Sequence, residues 1–361
     1  MHLDDAIYVR SDRCFRGVLT AYNQTTTMFL RAASTCTGAT RFAASRMAPN
    51  AARMYSSSAP KAQSNTGLYL SLGGLAGIAT WYSLGGFNGD IKNKLAEVRA
   101  DAGEPALSKD EWRSFKIKEI HPYNHDSKIY VIETPAGSPS GLINTSALLI
   151  KGDVKDDKGK NVIHPYTPIQ PNEETGHIDL LIKHYPNGKL TQHLNTLKEG
   201  DELQLKGPIP KFPYKANEFS HIGLIGGGSG ITPLWQLVQA VTRNKDDKTK
   251  VTLIYANNTE EDILLRERFD QIAKEDPRFN VVYGVTKPSK GWTGFTGFVT
   301  EEVLKNHLPS AEGGDKVKVF VCGPPPQVSA VAGPKKSAQD QGEIKGFLAN
   351  LGYKAEQVFK Y

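Results

Sequence analysis

His221-Ile-Gly-Leu-Ile-Gly-Gly-Gly-Ser-Gly-Ile-Thr-Pro233 decides the fold. Its short apolar run, Ile222 to Ile225, has the length and character of a buried strand. Glycines follow at 226, 227, 228 and 230, where a bare backbone turns tightly and admits a ligand closely. Thr232 is placed to cap a helix whose first residue is Pro233, a position that tolerates proline. Leu234, Leu237, Val238 and Val241 then recur at helical spacing. Strand, glycine loop and helix start together make an anion site of the kind that holds a pyrophosphate. The usual dinucleotide fingerprint has a third glycine where Pro233 stands, so this stretch alone is also compatible with a plain strand-to-helix turn.

Other stretches agree with the first. Val317 to Cys322 is a second apolar strand, and it ends in Cys322-Gly-Pro-Pro-Pro326. Consecutive prolines cannot continue a strand ladder, so the chain breaks there. That break falls at the carboxyl end of a strand, where open α/β sheets bind ligands. Upstream lie His164-Pro-Tyr-Thr-Pro168, after strand-like Asn161–Ile163, and then Gly188-Lys-Leu-Thr191. In order and spacing these motifs resemble those of the ferredoxin reductase-like flavoproteins. Over Trp112 to Tyr361 the resemblance is closest to the fungal mitochondrial NADH–cytochrome b5 reductases.

The resemblance implies FAD as cofactor and NADH as electron donor. It places His164 and Pro165 at the flavin pyrophosphate, Tyr166 against the isoalloxazine and Thr167 near its reactive nitrogen. Family members usually carry arginine where His164 stands, and an imidazole lacks the two-pronged donor of guanidinium. Leu181 and Lys183 lie on a strand that borders the flavin in the family. Gly188 permits close approach, Lys189 adds positive charge, and Leu190 and Thr191 complete a phosphate-binding turn. Gly228, Ser229, Gly230, Thr232 and Pro233 would hold the nicotinamide dinucleotide, and Cys322, Gly323 and Pro324 would close its nicotinamide side. Thr167 and Cys322 would stand nearest the chemistry, with Cys322 packing rather than attacking, because the cofactors perform the hydride transfer. Where the family has an acidic residue that repels a 2′-phosphate, this chain has Thr286 followed by Lys287.

Strand patterning separates two folded parts. From Trp112 the chain alternates, as in Phe115–Ile120 and Lys128–Glu133, and continues through Ser146–Lys151, Ile178–Tyr185 and Asp201–Lys206. Short strands with one candidate helix, Leu190–Leu197, predict an antiparallel β-barrel. After Tyr214 strands and helices alternate: His221–Ile225, Pro233–Thr242, Val251–Tyr255, Leu264–Lys274, Asn280–Val285, Thr300–Asn306 and Val317–Val321. That alternation predicts a parallel sheet with crossover helices. A last helix bears Ile344, Phe347, Leu348 and Leu351, and Val358–Tyr361 reads as a terminal strand. The expected layout is a leader over 1–66, a transmembrane anchor over 67–87 and a linker over 88–111. An FAD-binding barrel over 112–217 and an NAD-binding α/β domain over 218–361 follow.

From Arg13 to Gly89 there is no Asp or Glu, while Arg13, Arg16, Arg31, Arg41, Arg46, Arg53 and Lys61 are scattered among Ala, Ser and Thr. Such composition marks a mitochondrial presequence. The formal charge of +6 therefore owes much to the leader and does not argue for nucleic acid. Leu68 to Phe87 is apolar over about 20 residues, enough to span a ~30 Å hydrocarbon core as a helix. Cys14, Cys36 and Cys322 have no metal-ligand spacing. The implied activity is electron transfer from NADH through FAD to cytochrome b5 or a similar haem protein, at the mitochondrial outer membrane or in the intermembrane space. Two other readings stay open: a reductase of a quinone or a separate iron–sulfur protein, and a non-enzymatic scaffold with a decayed flavin site. Asp4, Asp5 and Asp12 oppose import of a basic helix, and a start at Met28 removes them. Residues 1–55 and residues 28–55, each fused to a reporter, are expected to deliver it to mitochondria, the shorter version at least as well. Cytosolic distribution of both fusions in intact cells would refute the assignment.

Overall fold

The computed structural model describes residues 104–361 except Gly137 and Glu173. The expected leader, the anchor over 67–87 and most of the linker lie outside the described residues. Among the described residues, no helix is long and apolar enough to cross a membrane.

The first domain contains β1 (Arg113–Pro122), β2 (Ser127–Glu133), β3 (Ser146–Lys155), β4 (Asn161–Tyr166), β5 (His177–Lys183), α1 (Lys189–Thr196) and β6 (Glu202–Pro210). The strands pair antiparallel in the order β4-β3-β6-β1-β2-β5. Alternation drives the packing. On β5, Ile178, Leu180 and Ile182 point into the barrel core with Tyr130 and Leu148, while Leu181 joins the core of the second domain. The sheet curls without a ladder between its edges β4 and β5. The segment just after β4 closes that seam: the Ile169 amide donates to the Asp179 carbonyl at 3.0 Å. Gln170 accepts from the Asp179 amide at 2.9 Å and donates to the His177 carbonyl at 3.2 Å. β4 differs from expectation in running on through His164, Pro165 and Tyr166. Its edge position is the reason, since a proline there removes no ladder bond on the open side.

The second domain contains β7 (His221–Gly227), α2 (Ile231–Thr242), β8 (Lys250–Asn257), α3 (Arg266–Glu275), β9 (Phe279–Val285), β10 (Phe295–Thr296), α4 (Glu301–His307), β11 (Val317–Cys322), α5 (Pro325–Ala332), α6 (Gly346–Asn350) and β12 (Val358–Lys360). All pairs are parallel, in the order β10-β9-β8-β7-β11-β12. The chain steps outward from β7 on one side and returns on the other at β11. The switch point therefore lies between β7 and β11. One sheet face buries Ile222, Leu224 and Phe320 beneath α2 and α3, and the other buries Ile225, Val319 and Val321 beneath α4, α5 and α6.

Three local expectations need correction. Thr232 does not cap α2. The loop first makes a 3-10 turn over Gly228–Gly230, and the helix starts at Ile231 with Gly230 as its N-cap. The Ile231 amide reaches the Gly228 and Ser229 carbonyls, so Pro233 is the third helical residue, still within the first turn. α5 has no helical signature in the sequence, because a proline run signals a break. The break does occur, but Pro325 and Pro326 then occupy helix-start positions that require no N–H. β10, of two residues, is too short to leave a pattern.

The domains join through buried hydrogen bonds. Trp235 of α2 donates its indole N–H to the Ile169 carbonyl at 2.8 Å, and Gln236 donates to the Pro168 carbonyl at 3.1 Å. Gln236 also accepts from the Ser146 amide at 2.9 Å. Trp235 is buried with Ile169 and Leu181 in a single apolar cluster. Burying one such side chain contributes about 1.5–3 kcal/mol.

Candidate active site at the domain junction

The glycine loop and the Cys322 loop touch through their backbones. β7 and β11 are paired neighbours, with Ile225 opposite Val321 and Gly226 opposite Cys322. Both loops therefore leave the sheet at the same end, on either side of the switch point. A Cβ added to Gly230 would stand 2.5 Å from the Cys322 carbonyl oxygen and 2.8 Å from the Gly323 nitrogen. One added to Gly227 would meet Pro324 Cδ at 2.8 Å. Gly228 has φ +50°, a left-handed turn that glycine adopts without penalty. Its carbonyl accepts from the Tyr255 hydroxyl at 2.9 Å, which ties the loop to β8.

On the barrel side, α1 packs beside β3 and β4. His164 is exposed on β4, Tyr166 is half-buried and Thr167 is buried. Burial raises the Tyr166 phenol above its ordinary value, so it stays a neutral ring. Gly188 is the N-cap of α1, and a Cβ there would collide with the Thr191 hydroxyl. That hydroxyl accepts from the Tyr185 amide at 3.2 Å and donates to the Gly188 carbonyl at 3.1 Å. Thr191 thus shapes the turn, and the first-turn amides of α1, which have no intrahelical acceptor, are what the turn offers an anion. Leu190 is fully buried beneath it in the barrel core. Lys189 lies at the helix start, where its ammonium pairs with Asp157.

The structure adds residues that no motif revealed. His184 Nδ1 donates to the Thr191 carbonyl at 2.8 Å, and Tyr130 donates to the Leu194 carbonyl at 2.9 Å, fixing α1 from below. Burial lowers the His184 pKa and raises that of Tyr130 to about 12, so both stay neutral. Tyr185 lies within hydrogen-bond distance of Ser229, 2.8 Å between hydroxyl oxygens, and so joins the Gly188 turn to the glycine loop. The strand expected over Ile178–Tyr185 ends at Lys183, and His184 and Tyr185 instead lead into the turn before α1.

Lys183 is engaged rather than open. Its ammonium lies 2.6 Å from Asp126 and 2.7 Å from Asp262 of the second domain. Burial alone would lower its pKa, but the two carboxylates outweigh that and hold it above the ordinary lysine value. His125, Asp126 and Asp262 cluster closely enough to suggest a metal site, but the Lys183 ammonium already sits between the two carboxylates and pairs with both. Cys322 is half-buried, and burial pushes its thiol up to about 12, which removes it as a nucleophile at neutral pH. Thr232 is buried, and its hydroxyl donates to the Ser229 carbonyl at 3.4 Å.

At the far end of the sheet, Thr286 follows β9 and donates to the Asn258 carbonyl at 3.2 Å. Beyond β10, Phe298 is 80% exposed, an apolar ring held in solvent at the sheet's carboxyl edge. Asn257, at the end of β8, is buried with neither side-chain polar atom in a hydrogen bond of ordinary geometry among the described residues. Open amide capacity at that edge, close backbone approach at Gly230 and free first-turn amides at α1 fit a dinucleotide and a flavin phosphate.

Comparison with known proteins agrees. The Oxidoreductase FAD-binding domain family matches residues 114–214, and the Oxidoreductase NAD-binding domain family matches residues 224–332. NADH-cytochrome b5 reductase 2 of Mycosarcoma maydis is 52% identical over 326 residues, covering 86% of this chain and 93% of that protein. The chain belongs to the NADH–cytochrome b5 reductase family. It is an FAD-dependent oxidoreductase that takes NADH as electron donor. NADH-cytochrome b5 reductase 2 of Yarrowia lipolytica is 48% identical over 254 residues, covering 70% of this chain and 86% of that protein. Among solved structures, the cytochrome b5 reductase domain of Ulva prolifera nitrate reductase superposes with a TM-score of 0.62 at 29% identity, over 72% of this chain and 100% of that one.

Two outcomes are expected of this reductase site. Gly230→Val forces the two loops apart, so NADH-dependent ferricyanide reduction should be lost while flavin absorbance is retained. Loss of flavin with normal kinetics in the remaining holoenzyme would contradict that division. His164→Arg supplies a paired donor to phosphate and should tighten FAD binding by about 1–3 kcal/mol. Unchanged FAD dissociation, followed by flavin fluorescence, would remove His164 from the phosphate site.

Proposed function

We propose that this reductase passes electrons from NADH through FAD to cytochrome b5 or a similar haem protein. The observation that carries the reading is the contact between Tyr185 and Ser229, which holds the flavin-side turn against the dinucleotide loop. Hydride transfer needs donor and acceptor rings in near-attack contact, and the protein's part is to hold that geometry. When bound, the flavin supplies the redox chemistry, accepting a hydride and releasing electrons singly.

The chain's own residues do the positioning. His164 and the start of α1 hold the flavin phosphates, Tyr166 packs on the ring and Thr167 hydrogen-bonds beside it. Gly228, Ser229 and Gly230 take the NADH pyrophosphate at the start of α2, where the helix dipole favours negative charge. Cys322, Gly323 and Pro324 would close the nicotinamide side. Phe298 offers its ring to the adenine. Thr286 and Lys287 present no carboxylate to a 2′-phosphate, so any preference for NADH must arise elsewhere in the site.

The names of the Mycosarcoma and Yarrowia relatives support cytochrome b5 as acceptor. A basic docking face would steer such a partner, because encounters between oppositely charged proteins are accelerated by their fields. The acid-free leader and the apolar run over 67–87 support a mitochondrial protein held by a transmembrane anchor at the outer membrane, or released into the intermembrane space. Purified holoenzyme mixed with NADH and cytochrome b5 in a stopped-flow experiment should reduce the haem at a rate that falls as salt rises. Rapid ferricyanide reduction without haem reduction would point to a quinone or iron–sulfur acceptor.

A further inference from the structure

α5 starts beside the dinucleotide loop with no N–H on its cap or on its first two residues. Pro324, Pro325 and Pro326 have no N–H, so their main chain cannot hold a phosphate. The start of α2, with the amides of Gly228, Ser229 and Gly230, remains as the place for the pyrophosphate. The opposite lip is served by a side chain. Gln327, the third residue of α5, reaches back over both glycine loops. Its Oε1 fills the position that a Gly227 Cβ would take, and its Nε2 lies 3.2 Å from where a Gly323 Cβ would stand. Nε2 is buried and has no hydrogen-bond partner among the described residues. Buried amide groups are nearly always paired, so a donor left open here calls for a partner.

The position limits what that partner is. Gln327 rises from the side of the loops formed by Cys322, Gly323 and Pro324, across the switch point from α2. A dinucleotide whose phosphates rest on α2 presents its nicotinamide end to this lip. We propose that Gln327 Nε2 donates a hydrogen bond to the carbonyl oxygen of the nicotinamide carboxamide and so fixes which way the ring faces. The inference rests on the NADH site described above and adds a residue to it. A neutral amide suits the role, since it satisfies a carboxamide without placing charge beside the ring from which the hydride leaves.

The test compares two ligands on FAD-loaded enzyme. NAD+ carries the nicotinamide, and ADP-ribose carries everything else. Gln327→Met keeps side-chain length and removes the donor, and Gln327→Leu removes it with a second neutral shape. Equilibrium titration should show NAD+ binding weakened about 5- to 10-fold in both variants, the share of one neutral hydrogen bond. ADP-ribose binding should stay unchanged. Equal weakening of both ligands would mean that Gln327 serves a phosphate or merely wedges the loops apart, and would overturn the proposal. Unchanged NAD+ binding in both variants would overturn it as well. If Gln327→Met disturbs the flavin spectrum, the smaller Gln327→Leu decides. Failure of the unaltered enzyme to bind either ligand would count against the dinucleotide site itself rather than against the role of Gln327.

Discussion

Helix α2 is the constraint on which the rest of the molecule depends. It begins in the glycine loop at Gly230, and one turn later Trp235 and Gln236 grip the carbonyls of Ile169 and Pro168. Those carbonyls follow directly on Thr167. A rigid helix therefore couples the loop that takes the dinucleotide to the strand end that takes the flavin. Its hydrogen bonds are buried, where a low local dielectric strengthens them and makes their loss costly. The same segment, Thr167 to Gln170, closes the barrel seam, so barrel closure and domain docking draw on one stretch of chain.

Polar contacts at the rim set the angle between the domains. The Tyr123 hydroxyl accepts from the Leu265 amide, Asn124 donates to the Glu261 carbonyl, and Lys183 pairs with Asp262. A partly buried ion pair contributes little net stability, because desolvation offsets the attraction. Its directionality is what matters here. The Lys183 ammonium sits between Asp126 of the first domain and Asp262 of the second and so ties the two together.

At the switch point, the absence of side chains is the working feature. Gly227, Gly230 and Gly323 let two loops approach until their backbones touch. The floor so formed is thin and open to a flat ring. Prolines then remove main-chain donors from one lip, while the glycine loop retains them on the other. The asymmetry gives the site a phosphate side and a ring side before any ligand arrives.

The sequence by itself determined the two-domain order, the parallel and antiparallel character of the sheets, and the loops that form the site. These follow from periodicity and from the backbone chemistry of Gly and Pro, which are local properties. The helix expected over Leu190–Leu197 and the strand expected over His221–Ile225 were legible for the same reason, each within two residues of its observed bounds. Tertiary structure alone decided where α2 begins, because the 3-10 turn at Gly228 satisfies the Ile231 amide and makes a Thr232 cap unnecessary. It also decided that β4 runs through Pro165, since edge position is not written in a short window. Lys183 turned out to be bound by carboxylates distant in the chain, and Tyr185 and Gln327 came to face the site from segments with no motif. Such partnerships depend on which strand ends meet at the switch point, and that is a property of the folded sheet.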